Sequence, residues 1–323
     1  MAVFTHVGAE DIARFLENYG IGPLTSAKGI AEGVENSNYL IEAGDTRYIL
    51  TLYEKRVDAD DLPFFVAFIN HLADAGNPVP RILPDANGTH VQRLMGRPAC
   101  LIQYLPGISL SRPNGRQAYA AGAALARLHN SAANFVGGPA NPQGPAQWRF
   151  LTDLIAARLD DILPGLHASV ARECDALEGL WPHDLPAGVV HADLFPDNVL
   201  VLGDEVSGII DFYFACRDIT AYDFAVTHSA WCFSPDGSTP LPALAASLAK
   251  GYQSARPLDA AEIAAMPILA RGAALRFLLT RAHDWLDTPE SALVVKKDPI
   301  AYLRRLDAYR ADPAGTLFGF AAP

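Results

Sequence analysis

The sequence predicts an α+β protein of two lobes, a small N-terminal lobe built on an antiparallel sheet and a larger helical C-terminal lobe. Three observations lead to that expectation. Up to residue 105, short apolar runs alternate with turn signals such as Ala43-Gly44-Asp45, Asn87-Gly88 and Met95-Gly96. From Pro106 onward, apolar residues recur at helical spacing. A single hairpin-like tract, from Val189 to Ile210, interrupts the helical half and gathers oxygen-bearing side chains. The lobes are therefore expected at 1–105 and 106–323. Strands followed by helices make the class α+β, and a cleft between lobes is the default place for a ligand.

Ile12, Phe15, Leu16 and Tyr19 mark a short amphipathic helix that stops at Gly20. Asn38 to Glu42 and Tyr48 to Tyr53 flank the first turn as a β-hairpin. Phe65, Phe68, Ile69 and Leu72 repeat the helical spacing, and Gly76 and Pro78 end that helix. Short strands follow up to Gln103-Tyr104. In the second half, Ala118, Ala121, Leu125 and Leu128 share one helix face, and Leu151, Leu154, Ile155, Leu159 and Ile162 share the next. Between them, Asn134 to Gln147 is rich in Gly, Pro and Asn and reads as an exposed loop. Val199 to Leu202 and Gly208 to Ile210 flank Gly203-Asp204-Glu205 as a second hairpin.

Half of the 323 residues are apolar, enough for a sizeable core, and the formal net charge is −11. That sign argues against nucleic acid or anionic membrane as a partner, because both are usually met by a basic face, and favours a small molecule. Cys100, Cys174, Cys216 and Cys232 stand apart without a C-x-x-C pair and read as reduced, buried thiols. Met1 to Gly8 has neither a basic nor an apolar leader region, and no apolar run approaches a membrane span. The expected compartment is the cytoplasm, and the sequence does not speak to oligomeric state.

The most informative stretch is His191-Ala192-Asp193-Leu194-Phe195-Pro196-Asp197-Asn198, followed by Ile209-Ile210-Asp211-Phe212. With the hairpin turning about Asp204-Glu205, positions 198 and 211 are equidistant from the turn and fall opposite each other at its open end. An amide oxygen beside a carboxylate is a hard site suited to Mg²⁺, which keeps waters and completes its shell with nucleotide phosphates. A further carboxylate nearby can orient an attacking hydroxyl and take its proton. Singly, Asp, Asn and Pro are ordinary turn residues. In combination, H-x-D-x-x-x-x-N, a short hairpin and D-F follow the order of kinase catalytic and metal-binding loops.

These residues resemble the aminoglycoside phosphotransferase and choline kinase superfamily, whose members carry H-G-D-x-x-x-x-N and a following I-D. Within it, Gly33-Val34-Glu35-Asn36-Ser37-Asn38-Tyr39, Tyr48-Ile49-Leu50-Thr51-Leu52-Tyr53-Glu54 and Ala274-Leu275-Arg276-Phe277 are similar to the bacterial homoserine kinases of this fold. The likeness spans roughly residues 8 to 310. It implies a protein-kinase-like bilobal fold, ATP and Mg²⁺ as cofactors, and transfer of the γ-phosphate to the side-chain hydroxyl of L-homoserine, a step of threonine biosynthesis. It also implies Asp193 as the catalytic base, Asn198 and Asp211 as metal ligands, and His191 as a scaffold of the loop.

Departures and weaker signals accompany the resemblance. Kinases place a Lys on the third strand and pair it with a helix Glu; here Thr51 stands where that cation would be and Phe65 stands near the Glu position. Losing both together is coherent, because one buried charge without its partner is costly. Tyr213 follows Phe212, so the third residue of D-F-G is absent. Gly29-Ile30-Ala31-Glu32-Gly33 is either a simple turn or a loop that covers phosphates, the latter making Gly33, Asn36 and Asn38 nucleotide-binding; no G-K-[ST] makes it a P-loop. His129 reads as structural, at a helix C-terminus. Trp231, Phe233 and Tyr213 read as core packing or as a cation pocket. Arg276 and Arg281 either pair with acids or solvent, or meet the substrate carboxylate. Two other functions remain open: a kinase of this fold acting on choline, ethanolamine, an aminoglycoside or a sugar, and a non-catalytic kinase-like binding module.

Overall fold

The computed structural model describes residues 5–30, 36–54, 58–288 and 296–320. The chain divides into two compact units: Met1–Gly107 with Ser207–Tyr213, and Ile108–Val206 with Phe214–Pro323. The first unit thus takes up a segment from far along the sequence, which a single cut at 105 leaves out. Backbone pairing explains it: Ile209 N–H donates to the Pro78 carbonyl at 2.7 Å, and Ser207 Oγ donates to the Pro106 carbonyl.

In the first unit, α1 (Ala9–Leu16) precedes β1 (Leu24–Ile30), β2 (Asn36–Ala43) and β3 (Thr46–Tyr53). Then come α2 (Leu62–Asp74), β4 (Ile82–Leu83), β5 (Gln92–Leu94) and β6 (Arg97–Gln103). The sheet runs β1-β2-β3-β6-β4 with β5 on β6, and its neighbours are antiparallel. Alternation along β2 sends Tyr39, Ile41 and Ala43 to one face, where Leu50, Leu52, Ala99 and Leu101 join Ile12, Phe15 and Leu16 of α1 in a core. Met95 and Gly96 both take positive φ, 51° and 76°, as the tight turn between β5 and β6 demands. Gly29, read from sequence as part of a loop, lies within β1 and pairs with Tyr39.

The second unit contains β7 (Ile108–Ser109), α3 (Gly115–Ala132), α4 (Pro145–Ile162), α5 (Leu166–Leu180), β8 (Ala187–Val190) and β9 (Val199–Leu202). The strand β10 (Glu205–Ile209) begins here, and β11 (Cys216–Ile219), α6 (Thr220–Trp231), α7 (Pro242–Ala255), α8 (Ala260–Asp287) and α9 (Ile300–Ala311) complete it. Strand β8 pairs with β11, and β7 with β9. Helices α3 and α7 approach to backbone contact through glycines: a Cβ on Gly122 would stand 2.2 Å from the Leu248 carbonyl oxygen, and one on Gly251 2.0 Å from that of Tyr119. The Glu173 carboxylate on α5 ties in α8 and α9, accepting from Arg271 Nε at 2.7 Å and Arg310 Nε at 2.8 Å.

Helix α8 is long and apolar enough to cross a membrane, contrary to the sequence reading that nothing approaches a span. Two thirds of that stretch is buried within the unit, where α8 packs on α4, α5, α6 and α9, so its apolarity is that of a core helix. The four cysteines are free and buried, as expected.

The same core holds an acid-sensitive contact. His228 on α6 is buried; its Nε2 donates to the Leu317 carbonyl at 3.0 Å, and its Nδ1 accepts from the Tyr309 hydroxyl at 2.8 Å, the pattern of a neutral ring. Burial pushes its pKa down to about 4, against smaller opposing effects of the Leu317 carbonyl and Asp312. The folded state therefore binds fewer protons than the unfolded chain between pH 6.5 and 4. This contribution is complete above pH 6.5 and is lost as the pH falls to 4, about 3 kcal/mol in all. Denaturant midpoints measured across that window should fall with pH, and His228→Gln should flatten the fall.

Candidate active site

In the second unit, the tract that contains His191 and Asp193 is a short loop between β8 and a 3-10 turn at Pro196–Asn198. His191 is fully buried, and its Nδ1 accepts the Asp193 N–H at 3.2 Å, which makes it the loop scaffold the sequence anticipates. The Asp193 carbonyl accepts the Phe195 N–H and the Asn198 Nδ2, both at 2.8 Å. Asn198 Nδ2 also stands 3.4 Å from Asp193 Oδ2. The Leu194 carbonyl receives the Trp231 indole N–H at 2.9 Å. Asp193 itself is only partly buried.

The loop is held from below by residues that the sequence reading left out or read otherwise. Asp223 of α6, with no exposed surface, accepts the backbone N–H groups of both His191 and Ala192 at 2.8 Å. His129 of α3 lies 2.9 Å from the same carboxylate through Nε2 and 2.8 Å from the Tyr252 hydroxyl through Nδ1. Burial alone would push the Asp223 pKa up, but the hydrogen bond and charge of His129, with His191, hold it below the usual carboxylate range. His129 is thus structural, as expected, through a buried carboxylate and not a helix dipole. An Asp inside the apolar run Ala221 to Val226 was the available signal for this partner.

Arg276 and Arg281 of α8 have different surroundings. Arg276 is 2% exposed and donates through Nη1 to the Ala192 carbonyl, with its guanidinium 4.6 Å from the Phe277 ring centroid. Arg281 is partly exposed, sits 4.4 Å from the Tyr302 ring centroid, and donates to the Asp298 carbonyl at 3.3 Å. Burial, and then Arg305, push its pKa down, while Tyr302 and Asp193 act the other way. Arg281 has no carboxylate within ion-pair distance among the described residues. Trp231 and Phe233 are buried, and Phe233 packs on Tyr309 and His228, so both serve the core.

In the first unit, Asp211 is exposed and held at a φ of 67°, while Phe212 beside it is buried against Phe68. Tyr213 joins Tyr53 through their hydroxyls at 2.9 Å and meets the Phe65 ring edge-on. The hairpin preceding Asp211 turns at Gly203-Asp204, since Glu205 already begins β10. Gly203 supplies the positive φ, 65°, one residue earlier than expected. The equal spacing of 198 and 211 about the turn therefore does not hold.

Gly33 lies outside the described residues. Asn36 and Asn38 are on β2, and their side chains are used across the sheet: Asn36 Oδ1 faces the Glu54 N–H at 3.4 Å, and Asn38 Oδ1 accepts the Thr51 hydroxyl at 2.7 Å. Thr51 is buried on β3, where its hydroxyl makes this neutral hydrogen bond. The open concavity of about 650 Å³ lined by Asn114, Arg116, Tyr119, Asp204, Ser247 and Lys250 includes none of the loop residues.

Residues 26–258 match the phosphotransferase enzyme family. A homoserine kinase from Xanthobacter autotrophicus is 50% identical over 322 residues, covering 100% of both chains. This chain belongs to the phosphotransferase enzyme family, among its homoserine kinases. A second relative, the homoserine kinase of Methylorubrum populi, is 52% identical over 310 residues and 96% of each chain. Among solved structures, an amicoumacin kinase in complex with AMP-PNP, Ca²⁺ and Ami superposes with a TM-score of 0.70 at 17% identity, over 95% of this chain and 93% of that one. A spectinomycin phosphotransferase in complex with ADP and spectinomycin gives 0.71 at 16% identity, over 96% and 100%. The fold is that of the protein-kinase-like phosphotransferases.

Because Thr51 contributes one neutral hydrogen bond, Thr51→Ala in this phosphotransferase should cost about 1 kcal/mol of stability and change kcat/KM for ATP by less than tenfold. Steady-state kinetics decide it; a loss of a hundredfold would give Thr51 a direct role at the phosphates.

Proposed function

We propose that the protein is an ATP-dependent kinase that transfers the γ-phosphate to the side-chain hydroxyl of L-homoserine, a soluble cytoplasmic enzyme of threonine biosynthesis. The observation that supports this reading most is full-length identity of about half to homoserine kinases, together with intact Asp193, Asn198 and Asp211. Those three residues are also what a non-catalytic binding module would have no chemical reason to keep together.

In this reading Asp193 orients the acceptor hydroxyl and takes its proton as the phosphoryl group moves, in a reaction whose catalysis is mainly positioning and charge neutralisation. The Asn198 amide oxygen and the exposed Asp211 carboxylate are hard donors of the type Mg²⁺ selects. Mg²⁺ held by donors of this kind would neutralise phosphate charge. Gly33, Asn36 and Asn38 are proposed to shape the nucleotide-binding tract through their backbone, since the two asparagine side chains serve the sheet.

Of the two arginines, Arg281 is the candidate for the substrate carboxylate. Among the described residues it is a partly exposed cation without a carboxylate at ion-pair distance, within electrostatic reach of Asp193, whereas Arg276 donates to the Ala192 carbonyl. An acceptor without a carboxylate leaves such a guanidinium unpaired, a penalty that selects against it.

With MgATP and a panel of acceptors, ADP release should show a far higher kcat/KM for L-homoserine than for choline, ethanolamine or kanamycin. Release with choline or kanamycin and none with homoserine would overturn the substrate. Asp193→Asn should lower kcat by at least a hundredfold while ATP binding, measured by calorimetry, survives. A charge-assisted hydrogen bond is worth about 1.5–3 kcal/mol, so Arg281→Leu should raise the KM for homoserine about ten- to hundredfold and leave that for ATP within about threefold.

A further inference from the structure

The ring of Tyr302, on α9, has no exposed surface and carries two guanidinium groups, that of Arg281 at 4.4 Å from its centroid and that of Arg305 at 4.6 Å. The two cations are held differently. Arg305, itself buried, donates to the carbonyls of Ala301 at 2.7 Å and Ser234 at 3.1 Å, so its charge is fixed in place. Arg281 reaches the ring from α8, and among the described residues its hydrogen bond is the long one to the Asp298 carbonyl at 3.3 Å. The face of Tyr302 is therefore its main support. Both guanidinium groups use main-chain carbonyls as polar partners, with no carboxylate at ion-pair distance among the described residues. At Arg281 the repulsion from Arg305 outweighs the attraction of either Asp193 or Asp298. Two cations on one ring form a costly arrangement that an arriving anion relieves. An aromatic face engages a guanidinium without using its N–H groups, so the planar fork of Arg281 stays available for a bidentate carboxylate.

We propose that Tyr302 is a positioning residue for acceptor recognition: its ring carries the Arg281 guanidinium with the N–H fork presented to the α-carboxylate of the acceptor, and Arg305 adds a fixed second charge to that anion subsite. The inference deepens the reading of Arg281 as the carboxylate contact and rests on it. Arg281 is ordered by the ring before the acceptor arrives. An unsupported arginine would give up its rotamer freedom only on binding, at a cost of about two- to tenfold in affinity. The Tyr302 hydroxyl has no hydrogen-bond partner among the described residues, so the role belongs to the ring and not to its oxygen. Phe277, 5.0 Å from Tyr302 and 5.0 Å from Phe195 between centroids, links the subsite to the loop that bears Asp193.

The test is a double-mutant cycle read on KM. Tyr302→Leu should raise the KM for L-homoserine about three- to tenfold, with kcat and the KM for ATP within about twofold of wild type. Tyr302→Phe, which keeps the ring, should leave all three within about twofold. In the Arg281→Leu background, Tyr302→Leu should raise the homoserine KM by less than about twofold more. Equal rises in both backgrounds mean that Tyr302 serves packing alone, and they overturn the proposal. So does a Tyr302→Phe variant as impaired as Tyr302→Leu, which assigns the effect to the hydroxyl. An unchanged KM in Tyr302→Leu beside a raised one in Arg281→Leu refutes the platform and leaves Arg281 as the carboxylate contact. A raised KM in Tyr302→Leu with none in Arg281→Leu removes Arg281 from the site, and the platform with it. In case Tyr302→Leu does not fold, Tyr302 is replaced by a trifluorinated phenylalanine, which keeps the ring shape but drains negative charge from its face. Its homoserine KM should exceed that of Tyr302→Phe by about threefold or more, and equal values overturn the platform.

Discussion

A single buried carboxylate, that of Asp223, is the constraint on which the catalytic unit depends. An ionised group with no exposed surface is tolerated only if its oxygens are satisfied. Here they receive two backbone N–H groups and an imidazole nitrogen. Because an ionised carboxylate only accepts, His129 Nε2 donates to Asp223, while His129 Nδ1 hydrogen-bonds the Tyr252 hydroxyl, whose oxygen accepts from Arg256, itself paired with Glu262 at 2.8 Å. Each member has its donor or acceptor capacity matched by the next, the condition under which a buried polar network specifies one arrangement.

The network joins distant parts of the chain to one helix. Glu262 belongs to the capping box that starts α8, where its carboxylate accepts the Asp259 N–H while Asp259 accepts its own. Four turns later the same helix delivers Arg276 to the Ala192 carbonyl. Helix α8 therefore reaches the catalytic loop twice, once directly and once through a relay of side chains, and Glu173 fixes the helix in turn through Arg271. The loop is held by its own hydrogen bonds and from two helices, α6 and α8.

Local chemistry was legible in the sequence where it repeats at a fixed period or requires a special residue. The spacing of Ile12, Phe15 and Leu16, of Phe65, Phe68 and Leu72, and of Ala118, Ala121 and Leu125 marks helices that are present, and Met95-Gly96 marks a turn. Strand β1 was not legible because Thr25 to Gly29 is exposed and presents no apolar alternation. The transfer of Ser207–Tyr213 to the first unit depends on backbone partners at Pro78 and Pro106, which no local pattern encodes. The site followed the same division. The order of His191, Asp193, Asn198 and Asp211 could be read, but the partnership of Asp223 with residues 31 and 32 positions earlier could not. Nor could the different fates of Arg276 and Arg281, since burial separates them and spacing does not.

The buried hydrogen bond between Thr51 and Asn38 has a consequence for control. In protein kinases the strand lysine and helix glutamate form a pair that can be broken, and making or breaking it turns the catalyst on or off. A threonine and an asparagine on adjacent strands of one sheet are joined by the register of the backbone itself, Asn38 facing Thr51. Such a contact cannot be opened by swinging a helix or by adding a phosphate nearby. That contact persists for as long as the two strands stay paired.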